Sequence, residues 1–431
     1  MRYKSLKGNA PDVGFEEAVV RGLAPDRGLY YPVIIPELSG DFLENFRSMS
    51  RPEMALEVIR PFLADAIDEK TLTHLVEETL SFDFPLVKLD EGVFSLELYH
   101  GPTLAFKDVG ARFMARSLGY FNSKRSEREV TVLVATSGDT GGAVADGFFG
   151  VEGVQVVILY PKGKVSALQE LQLTTHGGNV RALEVDGTFD HCQAMVKEAF
   201  LDQTLTERMK LTSANSINVA RWLPQMFYYF FAVAELESDP AVVFSVPSGN
   251  FGNICAGMLA SKMGLPVGHF IAGTNQNDVV PEFLAGGEYR PRPSVATISN
   301  AMDVGAPSNF SRIQALYEND PKSLRANLSG YSYSDQQTRE SLTELWTKYG
   351  YAADPHGAIG YRALKEYANG VGRDLQGVFL ETAHPVKFLD VLPEAIASQV
   401  EVPQRLARLQ NKPMNKIAVS NYQDLVDVLM G

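Results

Sequence analysis

With 431 residues, 45% of them hydrophobic and 21% charged, the chain is long enough for two or three lobes with their own cores and is neither disordered nor fibrous in composition. Acidic residues outnumber basic ones by 52 to 39, and the net charge of -13 opposes contact with nucleic-acid phosphates and anionic lipid surfaces. An anionic ligand then requires a local cluster of amides, hydroxyls and cations, which should stand out as a motif.

The first 22 residues mix charged and apolar side chains and do not read as a secretory signal. Trp222 to Ala234, the most apolar stretch, is too short for a membrane helix. A cytoplasmic protein with no membrane or nucleic-acid partner is expected. Further along, Lys107 follows Phe106 just ahead of the helical run Val109 to Leu118. Val130 to Ala135 reads as a buried strand, followed by the turn Thr136 to Gly142 (TSGDTGG) and a helix from about Ala143. Val154 to Tyr160 is a second strand, Val165 to Thr175 a helix, Val180 to Val185 a strand, and Phe189 to Met209 one long helix. Leu211 to Ala214 is short and extended, and an aromatic helix surrounds Trp222. Val242 to Val246 gives another strand and Asn253 to Met263 another helix. Pro291 to Pro293 and Asp320 to Ser329 read as surface loops. The alternation predicts an α/β fold with two open, mainly parallel sheets flanked by helices, so ligands are expected at the loops after Ala135 and Val246. Cys192 and Cys255 read as core thiols of helices, since two cysteines make neither a disulfide framework nor a four-ligand zinc site.

Three segments carry chemistry. Gly249 to Asn253 (GNFGN), after Pro247 and Ser248, lies between a strand and a helix, where tightly turned backbone and a helix start can gather N–H groups onto a phosphate. The alternative is an ordinary glycine-bearing turn. The hydroxyls and amides of TSGDTGG suit a carboxylate, and within it Asp139 would either accept a hydrogen bond from a ligand or cap the helix. Lys107, flanked by apolar residues, can be neutral enough to form an imine, or it can be a helix-start lysine paired with Asp108. Asn215, Ser216 and Arg221 (NSINVAR) can likewise be an anion cradle, or a helix cap followed by a surface ion pair. His100, His356 and His384 fit no metal-binding spacing, and no metal is expected. Lys162 and Lys164 read as a solvated turn, and Phe227 to Phe231 as core or subunit contact.

In their order and spacing, His100 to Asp108 (HGPTLAFKD), TSGDTGG and PSGNFGN closely resemble the threonine synthases, a family in the tryptophan-synthase-β-like group of pyridoxal-phosphate enzymes. Gly22 to Pro32 (GLAPDRGLYYP), NSINVAR and Glu381 to Phe388 (ETAHPVKF) extend the resemblance over nearly the whole chain. It implies fold type II of these enzymes with an additional N-terminal region. The divisions would fall near 1–95 for the N-terminal region, 96–125 and 241–400 for a larger cofactor-binding lobe, 126–240 for a smaller α/β lobe, and 401–431 for a C-terminal segment.

The resemblance also implies roles. Lys107 would be the catalytic lysine holding pyridoxal 5'-phosphate as a Schiff base, and Gly249, Asn250, Phe251, Gly252 and Asn253 would cup the cofactor phosphate. Thr382 would face the pyridine nitrogen, Ser137, Gly138 and Thr140 the substrate carboxylate, and Asn215, Ser216 and Arg221 a substrate phosphate. Many relatives carry Asn where Asp139 stands, hydrogen-bonded to the cofactor's phenolic oxygen; an acid there must share a proton or turn away. The implied reaction turns O-phosphohomoserine and water into threonine and phosphate by γ-elimination and β-addition, in a monomer or homodimer. Two alternatives are a lyase of the serine/threonine dehydratase type, which has no second phosphate to bind, and a noncatalytic binder of phosphorylated metabolites, which has no need of Lys107.

Overall fold

The structure, a computed structural model of the chain, describes residues 1–63, 66–124, 129–237, 240–372 and 375–431. The lobe division expected at 125 and 126 lies outside the described residues.

An antiparallel ribbon of β1 (Tyr3–Ser5) and β2 (Tyr30–Pro32) opens the chain. Next come β3 (Leu86–Asp90), β4 (Val93–Glu97), β5 (Val130–Ala135), β6 (Val154–Pro161), β7 (Val180–Val185) and β8 (Lys210–Thr212). The remaining strands are β9 (Val242–Pro247), β10 (His269–Thr274), β11 (Leu328–Ser332), β12 (Gln376–Glu381) and β13 (Lys416–Val419). One sheet has the order β11-β10-β9-β12-β4-β3 and the other β13-β7-β6-β5-β8. Every pairing within them is parallel except β3 with β4, the edge hairpin. The expected α/β architecture of two mainly parallel sheets is present.

Strand sequence explains the layering. In β5 (VTVLVA) all six residues are buried, as a parallel strand covered on both faces requires. Val132 and Val134 point into the core shared by the N-terminal helices, the helix Lys107–Ser123 and both sheets, whereas Leu133 and Ala135 point to a separate core behind the smaller sheet. The same alternation in β9 sends Phe244 inward and Val243 to a third core behind the larger sheet. The aromatic run is core and not a subunit contact: Met226 through Val233 of the helix Met226–Glu235 are all buried within the chain.

Several expected elements differ. The helix after β5 begins at Asp139, four residues early, so half of the glycine-rich turn is its first turn. The single helix expected over Phe189 to Met209 is two, Phe189–Ala199 and Gln203–Arg208, because Asp202 accepts from Leu205 N at 3.2 Å and starts a new helix. Asp320 to Ser329 is not a loop. Asp320 caps the helix Pro321–Asn327, whose proline occupies the first turn, and the chain runs on into β11.

One glycine decides how closely the helix Lys107–Ser123 can lie against the helix Val219–Trp222. A Cβ on Gly110 would stand 2.6 Å from the Arg221 carbonyl oxygen, inside contact distance of backbone that cannot swing away. Gly110→Ala is expected to cost about 1–3 kcal/mol of stability, the range of core overpacking. Urea unfolding measures it, and an unchanged midpoint would show that the two helices can separate freely.

Candidate active site

The carboxyl ends of β5 and β9 face a cavity of about 770 Å³ between the two sheets. Lys107, Ser137, Asp139, Thr140, Asn215, Ser216, Arg221, Gly249, Asn250, Phe251, Gly252, Asn253 and Thr382 all line it. Gly138 does not. It sits beneath the wall with φ 141°, where any Cβ would strike the Gln169 side chain at 2.4 Å. Thr136 braces this loop, its Oγ1 accepting from Gly138 N at 3.0 Å and Gly141 N at 2.9 Å.

Lys107 is the first residue of its helix and is not paired with Asp108. Asp108 is buried and held by Thr103, which donates through its N at 2.9 Å and through its hydroxyl. The Lys107 ammonium instead lies over the Phe106 ring and 4.0 Å from Asp139 Oδ2. Burial pushes its pKa below the ordinary lysine value; Asp139 opposes that, and Lys387 and Arg221 reinforce it. A lysine so placed supplies a neutral amine more readily than a solvated one.

Asp139 is almost fully buried and does not cap its helix with its side chain. Its Oδ1 accepts from Lys387 Nζ at 2.9 Å and from Gln169 Nε2 at 3.0 Å. Burial alone would raise its pKa, yet Lys387 and then Lys107 hold the carboxyl well below the carboxylate range. Sequence motifs did not single out Lys387. Its flanking by Val386 and Phe388 was a usable signal, the same apolar setting that marked Lys107.

Past β9 the chain makes a cradle. Phe251 adopts φ 59° and ψ 16° just before the helix Gly252–Lys262, whose start has no side-chain cap. Asn253 Nδ2 is buried without a partner, although its Oδ1 accepts from Tyr229 at 2.7 Å. Uncapped first-turn N–H groups beside an unsatisfied buried amide make an anion site, and they fit a phosphate.

A second cradle adjoins the first. Neither Asn215 nor Ser216 caps the helix that contains Trp222; Asn218 does, accepting from Ala220 N at 3.0 Å. Arg221 is not at the surface. It is buried, no carboxylate among the described residues forms an ion pair with it, and its Nε has no partner while one Nη donates to the Ala214 carbonyl. Burial lowers its pKa to about 10, so it stays cationic at neutral pH. Asn309 and Arg312 join the cradles. Asn309 N donates to Asn250 O and its Nδ2 to Ser216 Oγ, each at 3.2 Å, while Arg312 Nη1 donates to Asn309 Oδ1 at 2.7 Å and to Ser216 O at 3.2 Å.

Thr382 follows β12 and is fixed from both neighbours. Glu381 Oε2 accepts from Asp354 N at 3.1 Å, and Asp354 Oδ2 accepts from Ala383 N at 3.2 Å. Burial and the adjacent Asp354 push the Glu381 pKa well above the ordinary carboxylate value.

The chain matches three family models, the last two overlapping: threonine synthase N terminus over residues 2–80, pyridoxal-phosphate dependent enzyme over 82–381, and threonine synthase C-terminal over 357–429. It is 42% identical to the threonine synthase of Serratia marcescens over 434 residues, covering 100% of this chain and 99% of the relative. The crystal structure of threonine synthase from Escherichia coli superposes with a TM-score of 0.91 at 40% identity, covering 100% of this chain and 99% of the other. The PLP-bound threonine synthase from Brucella melitensis superposes with a TM-score of 0.93 at 36% identity, covering 100% and 98%. These matches span the cavity and both sheets, and the chain belongs to the threonine synthase family of pyridoxal-phosphate-dependent enzymes.

Proposed function

We propose that the chain's threonine synthase activity takes O-phosphohomoserine as substrate, with Lys107 as the covalent anchor of pyridoxal phosphate and with separate cradles for the cofactor phosphate and the substrate phosphate. The observation that carries this reading is the convergence of a largely buried lysine, an uncapped helix start and a buried arginine with an unsatisfied Nε on one cavity. Gly249 to Asn253 suit the cofactor phosphate, since the first-turn N–H groups and Asn253 Nδ2 are donors in need of an acceptor. Thr382 suits the ring nitrogen as a neutral hydroxyl partner. Bound there, pyridoxal phosphate supplies an electron sink for charge that develops on substrate carbons.

The chain's own residues do the rest. Ser137 and Thr140, at the start of the helix Asp139–Phe148, offer hydroxyls and amides to the substrate carboxylate. Arg221 offers its free Nε–H to the substrate phosphate, with Asn215 and Ser216 beside it. That grip holds the leaving group against the cavity wall and stabilises the charge it gains as its C–O bond breaks. With pyridoxal phosphate and substrate bound, the Lys107 amine would serve as the base for the reacting carbons; its lowered pKa suits taking a proton from one carbon and returning it at another. Release of the phosphate and addition of water at the neighbouring carbon then give threonine. A dehydratase-type substrate would leave Arg221 buried with its Nε unsatisfied, which favours the phosphorylated substrate.

The protein purified with pyridoxal phosphate is expected to show a visible absorbance band, and borohydride trapping should leave the cofactor mass on the peptide containing Lys107. Lys107→Ala should lose both signals, and a trapped mass on another lysine would overturn the assignment. Arg221→Ala is expected to lower kcat/KM for O-phosphohomoserine by roughly 100-fold or more, the size of losing a desolvated charge contact, while cofactor occupancy stays near that of the parent. Steady-state kinetics beside absorbance titration decide it, and equal loss of both would count against the phosphate role.

A further inference from the structure

Resting on the reading that Lys107 attaches the cofactor, we propose that Lys387 is a positioning residue that keeps the Lys107 amine available for attachment by engaging Asp139, which would otherwise pair with Lys107. Three features carry this. The Lys387 side chain is fully buried at the cavity wall, a costly place for an ammonium without a task or a partner. It reaches Asp139 at 2.9 Å, whereas Lys107 stands at 4.0 Å from the other oxygen of the same carboxylate. Gln169 Nε2 also donates to the oxygen that Lys387 holds, so the Lys387 side of the carboxylate is doubly engaged.

The consequence is electrostatic. A carboxylate committed to one ammonium attracts a second one less, and the second feels like-charge repulsion from the first. The charged groups that act on Lys107 come from four elements: Asp139 of the helix Asp139–Phe148, Lys387 of the turn Pro385–Phe388, Arg221 of the helix Val219–Trp222, and Asp354 at the cap of the helix Pro355–Val371. Asp139 and Asp354 favour the ammonium, while Lys387 and Arg221 favour the neutral amine together with burial. Attachment needs the neutral amine: the nitrogen lone pair forms a bond to an aldehyde carbon, the carbonyl oxygen leaves as water with the two amine protons, and a C=N bond remains. Lys387 thus acts through the proton on Lys107 and not on the substrate.

The test is the pH dependence of covalent attachment when apoprotein is mixed with pyridoxal phosphate, followed by absorbance and by borohydride trapping. In the parent, the rate should rise with pH as Lys107 loses its proton and then level off. Lys387→Met removes the repulsion and frees Asp139 for Lys107, so the midpoint should move to higher pH, with attachment roughly tenfold slower at a fixed pH below it, the factor one unit of pKa gives. Asp139→Asn should move the midpoint the opposite way, and the double variant, with neither charge, should return toward the parent. A structural role alone would lower rates without moving the midpoint, and an unmoved midpoint in Lys387→Met overturns the proposal. Should that variant fail to fold, Asp139→Asn decides: with Lys387 in place its midpoint must fall, and an unmoved one is equally fatal. Failure of the parent to attach the cofactor at Lys107 would instead sink the functional reading beneath this one.

Discussion

A buried carboxylate facing two lysines sets the electrical state of the cavity, and the rest of the site is arranged around that balance. Asp139 lies between Lys387 and Lys107 at 2.9 and 4.0 Å, while Arg221 adds a further cation with no carboxylate paired to it among the described residues. In a chain of net charge -13 this local excess of positive charge gives anionic ligands a reason to enter. The fold adds to that positive potential with the positive ends of two helix dipoles. The uncapped start of the helix Gly252–Lys262 and the start of the helix Asp139–Phe148 both open onto the same space.

Two buried arginines show how satisfaction separates scaffold from site. Arg312 is fully buried, stacks on Trp222, and donates to Tyr30 O, Ser216 O, Ile217 O and Asn309 Oδ1. With its donors occupied, its buried charge ties the N-terminal region to the segment that carries Ser216, and its desolvation is offset by bonds the fold itself provides. Arg221 is buried to nearly the same degree but keeps a donor without a partner. A native structure tolerates such an orphan where a ligand completes it. Burial alone would have graded the two residues alike, and the hydrogen-bond count tells them apart.

The parallel sheets were legible because strands such as β5 (VTVLVA) and β9 (VVFSVP) are short, mostly apolar runs that alternate with helical stretches, and β5 and β7 fall on the residues that the sequence marks. The glycine-rich turns were legible for the same physical reason that they work: few residues other than glycine tolerate φ 141° or a backbone approach as close as that at Gly249. Helix ends were less legible. Asp202 and Asp320 are ordinary acids until their side chains meet the N–H groups of the next turn, so the break after Ala199 and the helix after Asp320 follow from capping geometry that a hydrophobic pattern does not contain. Gln169 and Asn309 were invisible as site residues, and Lys387 showed only in its apolar flanks, because each acts on a partner 30 or more positions away.

Asp139 is the acid whose role the sequence left open, and its surroundings can be read in terms of charge. An amide at this position would be neutral. An acid with Lys387 against it is also neutral as a pair, so the total charge presented to Lys107 and to a ligand need not change. What changes is the separation of that charge: a full negative and a full positive end replace a modest amide dipole, with the negative end toward Lys107. Burying two ions is expensive, and removing either member alone would strand the other. The acid and the lysine therefore make physical sense only together, although 247 residues of chain separate them and nothing but the fold brings them into contact.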